Sequence, residues 1–347
     1  MQTDYDVIIV GGGPGGLSCA RHLSGSGLRV LILEKNDRLG KKICSGEVSS
    51  KTFPGEMANF QNIQEWKTVV VGTHKGTVPV TYGKPFLWTV GRYELESFLK
   101  SRCDADVHFS EPVIEITEEK VTTSEGSYTY KYLVGADGSF SKVREFLRLP
   151  THHIVGWAYH YVVDLPAHEF RVCWLPKIFP RGYGYVMSKS LGKTMIGGAI
   201  GKPDSDLISK KLAPKVKEWV KAEFGLDTAK LKSEGMRGNA DYRGWKFGNK
   251  WNVFLVGDAA GLLNPVTTEG IYYAVKSGEG VAKHIRGDAE GKKIMSKMAN
   301  THRAQVLLFD IANTWPFYWI VHWILENPKG MIRGKIFDWV FWKFMDR

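Results

Sequence analysis

The chain has 347 residues, which is enough for about two domains with a large core. Hydrophobic residues make up 43% and charged residues 24%, a balance that is typical of globular proteins and excludes wholesale disorder. The net charge of +11 indicates attraction to anionic lipid, a phosphorylated substrate, nucleic acid or an acidic redox partner. Nucleic acid is the least favoured of these and is not expected as a partner, because the basic residues are spread rather than striped and no nucleic-acid module is visible.

Residues 4–34 predict a strand, a glycine-rich turn, a helix and a second strand. The first strand is the apolar run from Val7 to Val10, and its early start leaves no room for the apolar segment of a signal peptide. We predict the helix over residues 17–24 and the second strand over residues 29–33. A βαβ unit is therefore expected at the start of the chain, and the protein is expected in the cytoplasm.

The glycines of the turn have the G-x-G-x-x-G spacing, at Gly11, Gly13 and Gly16. Gly11 would allow a sharp turn, Gly13 the approach of a pyrophosphate, and Gly16 close packing of helix and strand. The helix N-terminus favours phosphate, and Glu34 at the end of the second strand is placed to bind a ribose diol. Strand, glycines, helix and acid in this order predict a dinucleotide site.

Residues 35–47 form a polar loop that is too long for a simple connection and contains Cys44. The chain has three other cysteines, all far apart and without a C-x-x-C pair, which argues against zinc, iron–sulfur clusters and a disulfide framework. We therefore expect no metal. A lone cysteine is usually a small buried hydrophobe, and its place directly after the nucleotide motif leaves a role in the site open.

The middle of the chain alternates between strand and helix patterns. Residues 66–90 and 155–200 predict antiparallel strands, residues 91–99 and 207–224 predict helices, and residues 113–116 and 128–134 predict further strands. We expect a discontinuous nucleotide-binding domain (residues 1–65, 91–150 and 245–300), a β-sheet substrate domain (66–90 and 151–244) and a helical C-terminal segment (301–347). The predicted fold class is α/β, as an α+β composite.

A second motif follows at residues 253–261, where a buried strand ends in Gly257 and Asp258. An aspartate in this position can bond a ribityl hydroxyl, and we predict that a new helix begins near Thr267. Its N-terminus would stabilise the negative charge of a reduced flavin. Together with the first motif and the segment Asp137-Gly138, this motif resembles the FAD-binding fold of the p-hydroxybenzoate hydroxylase superfamily.

Within that superfamily the chain most resembles the geranylgeranyl reductase family. The resemblance lies in residues 42–46, 90–95, 180–186 and 257–271, with Cys44-Ser45-Gly46 in place of the frequent Cys-Gly-Gly. It implies an enzyme that reduces isoprenoid double bonds with reduced FAD. The FAD site that the motifs and the resemblance together predict consists of Gly11, Gly13, Pro14, Gly15, Gly16, Glu34, Lys35, Cys44, Gly46, Arg92, Val113, Asp137, Gly138, Asp258, Gly270 and Ile271.

Several further side chains bear on the chemistry. Tyr183 and Tyr185 share one face of a predicted strand, where they would either pack in the core or line a substrate cavity. Arg92 at a helix start opposes the helix dipole, which indicates an anionic neighbour such as the FAD pyrophosphate, or else an ordinary surface arginine. The proton donor would be Cys44 or a water bound to Tyr183. We interpret His152, His153, His160 and His168 as structural.

The electron source is expected to be external. The only other glycine cluster, residues 197–201, leads into Lys202-Pro203 rather than a helix, so no second nucleotide domain is visible. Ferredoxin, NAD(P)H or another reduced carrier would therefore deliver the electrons.

The C-terminal segment is aromatic and basic. Its longest charge-free run, residues 311–325, is too short to span a bilayer. An interfacial helix on anionic lipid, a helical cap, a dimer contact or a lid over a lipid tunnel would each suit it. Trp315, Trp319 and Trp323 have the spacing of one helical face, and the other residues concerned are Trp339, Trp342, Lys329, Arg333, Lys335, Lys343 and Arg347.

These patterns lead to one expected function and two alternatives. We expect a membrane-peripheral reductase that transfers hydride from reduced flavin N5 to a C=C bond of a polyprenyl lipid or prenyl diphosphate. The alternatives are a flavin-dependent monooxygenase of the same fold and a flavoprotein that carries electrons to quinone.

Overall fold

A computed structural model describes residues 3–149, 155–190, 192–202, 208–240 and 252–326 of the chain. Within these residues the strands, in chain order, are β1 (Tyr5–Val10), β2 (Val30–Leu33), β3 (Glu47–Ser49), β4 (Gln64–Trp66), β5 (Thr68–Thr73), β6 (Gly76–Thr81), β7 (Leu87–Thr89), β8 (Asp106–His108), β9 (Val113–Ile116), β10 (Lys120–Thr123), β11 (Ser127–Gly135), β12 (Val155–Val163), β13 (Phe170–Cys173), β14 (Gly182–Ser190), β15 (Lys193–Lys202), β16 (Lys232–Asn239) and β17 (Val253–Leu255).

The helices connect and cover these strands. In chain order they are α1 (Pro14–Leu23), α2 (Arg92–Lys100), α3 (Lys142–Phe146), α4 (Ile208–Phe224), α5 (Gly257–Ala260), α6 (Ile271–Ile285), α7 (Ala289–Ala312) and α8 (Phe317–Glu326).

The first sheet holds the two nucleotide-type motifs. Its strand order is β8-β2-β1-β11-β10-β9, and β17 pairs with the end of β11. Strands β8, β2, β1, β11 and β17 run parallel, so their carboxyl ends lie at one edge. Residues 7–9 and 31–32 are fully buried, as expected for strands covered on both faces. The turn after β1, Glu34 after β2 and Asp258 after β17 therefore meet at this edge.

Helices α1 and α6 pack closely against each other. A Cβ on Gly15 would lie 3.3 Å from the Ala274 carbonyl oxygen, and one on Gly278 would lie 2.3 Å from the Gly15 carbonyl oxygen. The Ser18 hydroxyl also donates to the Val275 carbonyl at 2.7 Å. The contact between Gly15 and Ala274 brings the first turns of the two helices together.

The second sheet has the order β16-β12-β15-β14-β13-β5-β6 and is antiparallel except for the pair β13–β5. Helix α4 packs against one face through Val216 and Trp219. Tyr183, Tyr185 and Met187 of β14 lie on the opposite face, and a third small sheet, β3-β7-β4, contacts β14 there. The predicted α/β composite fold is confirmed, whereas the division into domains stays a prediction.

Three predicted boundaries differ from the structure. Helix α1 begins at Pro14 rather than at residue 17, because the fixed φ of proline suits a first helical position. Helix α6 begins at Ile271 rather than near Thr267, since the intervening residues form a turn around Asn264. Trp315 lies in the turn before α8, so it does not share a helix with Trp319 and Trp323. Residues 150–154, including His152 and His153, and residues 327–347 lie outside the described part.

Candidate active site

The glycine turn after β1 is shaped by two close backbone approaches. Gly11 has φ +106°, and a Cβ there would lie 2.5 Å from the Ala136 carbonyl oxygen. A Cβ on Gly16 would lie 2.1 Å from the Gly11 carbonyl oxygen. Gly13 is different, because a Cβ there would meet no heavy atom within 4 Å. Gly11 and Gly16 are therefore required by the fold itself, whereas the space beside Gly13 is open for a ligand.

The two helix N-termini at this edge both lack a side-chain cap. Gly13 precedes α1 and Gly270 precedes α6, and neither helix has an acidic residue in its first turn. The first N–H groups of a helix have no partner within it, and they favour anionic groups. Pro14, Gly15, Gly16 and Ile271 thus lie where an extended anionic ligand would meet both helices.

Glu34 is buried and binds the glycine turn. Its Oε2 accepts a hydrogen bond from the Gly12 N–H at 2.8 Å, and its Oε1 accepts one from the Asn36 N–H at 2.9 Å. Lys35 is exposed beside it, and the chain before Val113, the first residue of β9, is bonded to Glu34 through the Glu111 N–H. The ribose contact of Glu34 stays a prediction.

Asp258 lies between the two motifs and the loop that carries Cys44. Its Oδ2 pairs with Lys42 Nζ at 2.7 Å and accepts from the Ser139 hydroxyl at 3.1 Å. A Cβ on Gly270 would lie 3.7 Å from Asp258 Oδ1, and Lys42 Nζ is 4.0 Å from the Cβ position of Gly138. The structure therefore brings Gly138, Asp258 and Gly270 together, as the predicted site requires.

Asp137 has a local structural partner. Its Oδ2 accepts from the Lys142 N–H at 2.7 Å and the Val143 N–H at 3.3 Å, at the start of α3. Its Oδ1 is buried without a hydrogen-bond partner among the described residues, and burial raises the pKa of this carboxyl. Oδ2 therefore accepts from the first N–H groups of α3, and Oδ1 is available to accept from a further donor.

The anionic neighbour of Arg92 is a protein carboxylate. Arg92 forms an ion pair with Glu96 one turn along α2, and Glu96 Oε2 also accepts from the Gly40 N–H. Burial lowers the pKa of Arg92, but the Cys44 sulfur and the Glu96 carboxylate outweigh it and raise the pKa above its usual value. Glu96 is therefore one anionic neighbour of the kind that the position of Arg92 at a helix start indicated. Arg92 Nε has no partner among the described residues, and its contact with FAD stays a prediction.

The loop of residues 40–46 closes one side of a cavity of about 870 Å³. Its end is held by Gly46, which has φ +83° and would place a Cβ 2.0 Å from the Val90 carbonyl oxygen. The Gly46 N–H donates to Cys44 Sγ at 3.4 Å, and all four cysteines are free. The volume suits a small-molecule site, for which roughly 300–1,000 Å³ is usual; its lining includes Cys44, Arg92, Tyr93, Lys189, Lys232 and Glu234.

Tyr183 and Tyr185 are both buried on the sheet face that looks toward β3 and β7. The Tyr183 hydroxyl lies 3.0 Å from the Thr267 carbonyl oxygen and 2.6 Å from Thr268 Oγ1, so it ties β14 to the turn before α6. Burial raises the pKa of both tyrosines. Tyr183 therefore has its partners within the protein, which leaves the predicted Tyr183-bound water without support.

A row of polar side chains crosses the second sheet at Gly197. His160 on β12 and Tyr185 on β14 are both register partners of Gly197 on β15 between them. His160 Nδ1 lies 2.9 Å from the Tyr185 hydroxyl, and His160 Nε2 lies 3.3 Å from Glu234 Oε2. Because a carboxylate only accepts, Nε2 carries the proton and Nδ1 accepts from Tyr185. Gly197 belongs to the glycine cluster that leads into no helix, and it makes room for this row.

Near pH 7 this row contains a neutral histidine beside a charged carboxylate. Burial lowers the pKa of His160 to about 4, so the ring is neutral near pH 7. Burial raises the pKa of Glu234, but ion pairs with Lys189 and Lys232 outweigh it and lower the pKa to about 2. Both ring nitrogens of His160 thus have partners within the protein, which fits the structural interpretation of this residue.

The sequence prediction missed Glu47, the first residue of β3. Ser45 donates a hydrogen bond to Glu47 Oε2, while Oε1 is inaccessible to solvent and has no partner among the described residues. Burial raises the pKa of this carboxyl to about 7. The only sequence signal for Glu47 was its position three residues after Cys44.

The site fits a flavin dinucleotide. Open space at Gly13, two uncapped helix N-termini and the unpartnered Asp137 Oδ1 supply the contacts for an extended ligand with phosphates and hydroxyls. Within the described ranges no cluster of His, Cys, Asp and Glu could hold a metal ion. None of the helices described there combines the length and the apolar character that a membrane crossing needs.

Comparison with known proteins gives consistent matches. The profile of the FAD binding domain family matches residues 111–306, more than half of the chain, and that of an NAD(P)-binding Rossmann-like domain matches residues 9–70. An uncharacterised protein of Methanosarcina barkeri is 27% identical over 318 residues, which cover 87% of this chain and 79% of the relative.

Two solved structures have a similar fold. One is a geranylgeranyl bacteriochlorophyll reductase-like protein from Thermoplasma acidophilum, with a TM-score of 0.67, 20% identity, and coverage of 97% of this chain and 91% of that one. The other is PqsL of Pseudomonas aeruginosa in complex with 2-aminobenzoylacetate, with a TM-score of 0.70, 15% identity, and coverage of 96% and 99%. At these identities the likeness is one of fold.

Proposed function

The chain belongs to the FAD binding domain family of flavoprotein oxidoreductases, and from this premise we propose that it saturates C=C bonds of a polyprenyl lipid. FAD is its cofactor. The geranylgeranyl reductase-type motifs and the fold shared with the Thermoplasma acidophilum protein support this choice of reaction.

The observation that carries the lipid part of the proposal is an exposed aromatic surface around α8, which we call the α8 surface. It contains Trp315, Trp319 and Trp323, whose side chains are 80%, 59% and 68% exposed, together with Phe317 and Ile320. Contiguous apolar surface of this kind marks a protein, ligand or membrane contact. A substrate that resides in a membrane would bring this surface to the lipid, which is the reason that it supports a lipid substrate.

We propose that the α8 surface lies at the interface of anionic lipid. Tryptophan favours the boundary between headgroups and acyl chains, and five basic residues follow in sequence at positions 329, 333, 335, 343 and 347. Each basic residue near an anionic surface contributes about 1 kcal/mol. Co-sedimentation with phosphatidylglycerol vesicles, but not phosphatidylcholine vesicles, is expected, and Trp319→Ser with Trp323→Ser should abolish it.

The chain's own residues would orient the reactants. Reduced FAD, when bound, supplies the hydride. The N-termini of α1 and α6 favour the anionic parts of the cofactor, and Asp258 is placed for a ribityl hydroxyl. Tyr183 ties the second sheet to the turn before α6, which fixes this turn next to the N-terminus of α6. The electron donor would be an external carrier.

A monooxygenase is the second candidate, because PqsL, which has the same fold, is described as a probable FAD-dependent monooxygenase. An electron carrier to quinone is the third. Incubation of dithionite-reduced holoprotein with geranylgeranyl lipids, once without oxygen and once after oxygen is admitted, separates the three when the lipids are analysed by mass spectrometry. A gain of two hydrogen atoms per bond supports the proposal, an oxygen-dependent gain of one oxygen atom supports the monooxygenase, and an unchanged lipid with rapid quinone reduction supports the carrier.

A further inference from the structure

The cavity of about 870 Å³ in front of Cys44, which we call the Cys44 cavity, has a polar and basic lining. Among the described residues that line it, Ile43, Cys44 and Tyr93 are the only apolar or aromatic side chains. The charged side chains of the lining are five cations and two carboxylates: Lys41, Lys42, Arg92, Lys189, Lys232, Glu94 and Glu234. A polyprenyl chain here would strip water from these charges. The Cys44 cavity therefore suits a water-soluble anion better than the lipid.

One wall of the Cys44 cavity adjoins the FAD site. The loop after β2 and the start of α2 form this wall, which includes Cys44, a predicted FAD contact. Lys42 of the same wall pairs at 2.7 Å with Asp258, which is predicted to bond a ribityl hydroxyl. Arg92 pairs with Glu96. A molecule in the cavity would thus lie next to bound FAD, and these two cationic side chains already have carboxylate partners.

The second sheet contributes residues with an excess of positive charge. Lys189 near the end of β14 and Lys232 at the start of β16 share one carboxylate, that of Glu234. The Glu234 side chain is only 6% exposed, and its Oε1 lies 2.9 Å from Lys232 Nζ. The Lys232 side chain is 74% exposed and is therefore accessible to a ligand. One buried carboxylate thus holds two lysines beside the cavity and leaves one positive charge uncompensated.

A nucleotide with phosphate groups fits these features. Phosphate supplies the negative charge that matches the excess at Lys189 and Lys232, because lysine binds phosphate as a point charge. Tyr93 in the same lining is 61% exposed and presents a ring of the kind on which nucleotide bases stack. A concave space of this volume is typical of a small-molecule site. These features favour a dinucleotide over an acidic protein.

We propose that the Cys44 cavity is the docking site of the electron donor, a nicotinamide dinucleotide whose phosphate groups lie at Lys189 and Lys232. The donor transfers a hydride from C4 of its nicotinamide ring to N5 of bound FAD. The C–H bond of the donor breaks and an N–H bond forms on the flavin, so that the donor is oxidised by two electrons and FAD is reduced by two. The proposal rests on FAD as the cofactor and does not depend on which substrate the reduced flavin then meets.

The first test measures binding without turnover. Calorimetric titration of the FAD-loaded protein with NADP⁺, and separately with NAD⁺, should show saturable binding. Lys232→Ala should weaken it by about 10-fold, and Lys232→Glu by about 100-fold, because the new carboxylate also repels phosphate. Lys189 is left in place, since it compensates the buried Glu234. FAD affinity should stay unchanged in both variants.

The matched controls are Lys230→Ala and Lys230→Glu. Lys230 is 84% exposed, lies two residues before Lys232 and does not line the cavity. The same changes of net charge at this position should leave nucleotide binding unchanged. An equal loss in the Lys230 variants would show that only the overall charge of the protein matters, and would overturn the site.

A second comparison separates the phosphate contacts from the base contact. Sodium diphosphate should compete with NADP⁺, and its own affinity should fall in Lys232→Ala but not in Tyr93→Ala. Tyr93→Ala should weaken NADP⁺ binding by about 10-fold, whereas Tyr93→Phe keeps the ring and should bind as the wild type does.

The kinetic test mixes the holoprotein with NADPH or NADH without oxygen and without lipid. The flavin absorbance should bleach at a rate that saturates with nucleotide concentration. Lys232→Glu should raise the half-saturating concentration by about 100-fold, while reduction by dithionite stays unchanged. Reduced ferredoxin, an acidic protein donor, is the alternative reductant in a parallel experiment.

The outcomes distinguish this proposal from the proposed function. If NADPH and NADH neither bind to the holoprotein nor reduce it, the proposal is overturned, and reduction by ferredoxin would then identify a protein donor. If a nucleotide reduces the wild type and Lys232→Glu with the same half-saturating concentration, it docks elsewhere and the site is refuted. Because none of these measurements contains a lipid, the proposed alkene reduction stands or falls separately.

Discussion

Gly13→Ala separates the needs of the fold from those of the cofactor. Gly13 has φ −79° and ψ −178°, which alanine adopts without strain, and its Cβ would meet no protein atom within 4 Å. Replacing glycine before a helix by alanine changes stability by about 1 kcal/mol or less. The apoprotein should therefore fold as the wild type does.

The same methyl group should obstruct FAD. It would occupy the space through which a phosphate approaches the free N–H groups of Gly15 and Gly16. Loss of one hydrogen bond to a charged group costs roughly 1.5–3 kcal/mol, which corresponds to about 10-fold to 150-fold weaker binding. Titration of the apoprotein with FAD, followed by flavin fluorescence, measures this loss.

Two matched substitutions complete the experiment. Gly83→Ala also meets no atom within 4 Å, but it lies in an exposed turn and should leave FAD affinity unchanged. Gly16→Ala would clash with the Gly11 carbonyl and should lower the free energy of unfolding as well as FAD affinity. Unchanged FAD affinity in Gly13→Ala would refute the placement of the pyrophosphate at this turn.

Three further predictions concern stability. Because folded Glu47 keeps its proton between pH 4.5 and about 7, the free energy of unfolding should fall by about 3 kcal/mol as pH rises through that window, and urea denaturation of Glu47→Gln should not show the drop. His160 stays neutral while the unfolded chain takes up its proton between pH 6.5 and about 4, so stability is lost as pH falls there; His160→Gln should reduce this slope, and an equal slope would contradict the buried neutral ring. A Cβ on Gly197 would lie 2.4 Å from that of His160, so Gly197→Ala should cost about 1–3 kcal/mol by thermal or urea unfolding. In Gly235→Ala, on β16 of the same sheet, the nearest contact would be an ordinary 3.7 Å, and a similar loss there would argue against a special role for Gly197.

The sequence by itself determined the features whose cause is local. The spacing of Gly11, Gly13 and Gly16 between a buried strand and a helix is sufficient to recognise the turn. Gly16 acts on the nearby Gly11 carbonyl, whereas the close approach at Gly11 is to Ala136, a distant part of the chain. The acids that follow buried strands, Glu34 and Asp258, were found in the same way. The predicted α/β composite fold and the FAD cofactor are confirmed for this reason.

Only the tertiary structure decided which side chains oppose one another. Lys42 and Asp258 pair across 216 residues, and His160 reaches Glu234 across 74 and Tyr185 across 25. These partners depend on sheet order and register, which a linear pattern does not contain. Glu47 is an ordinary loop acid in the sequence; it gains its raised pKa because the fold buries one oxygen among neutral groups.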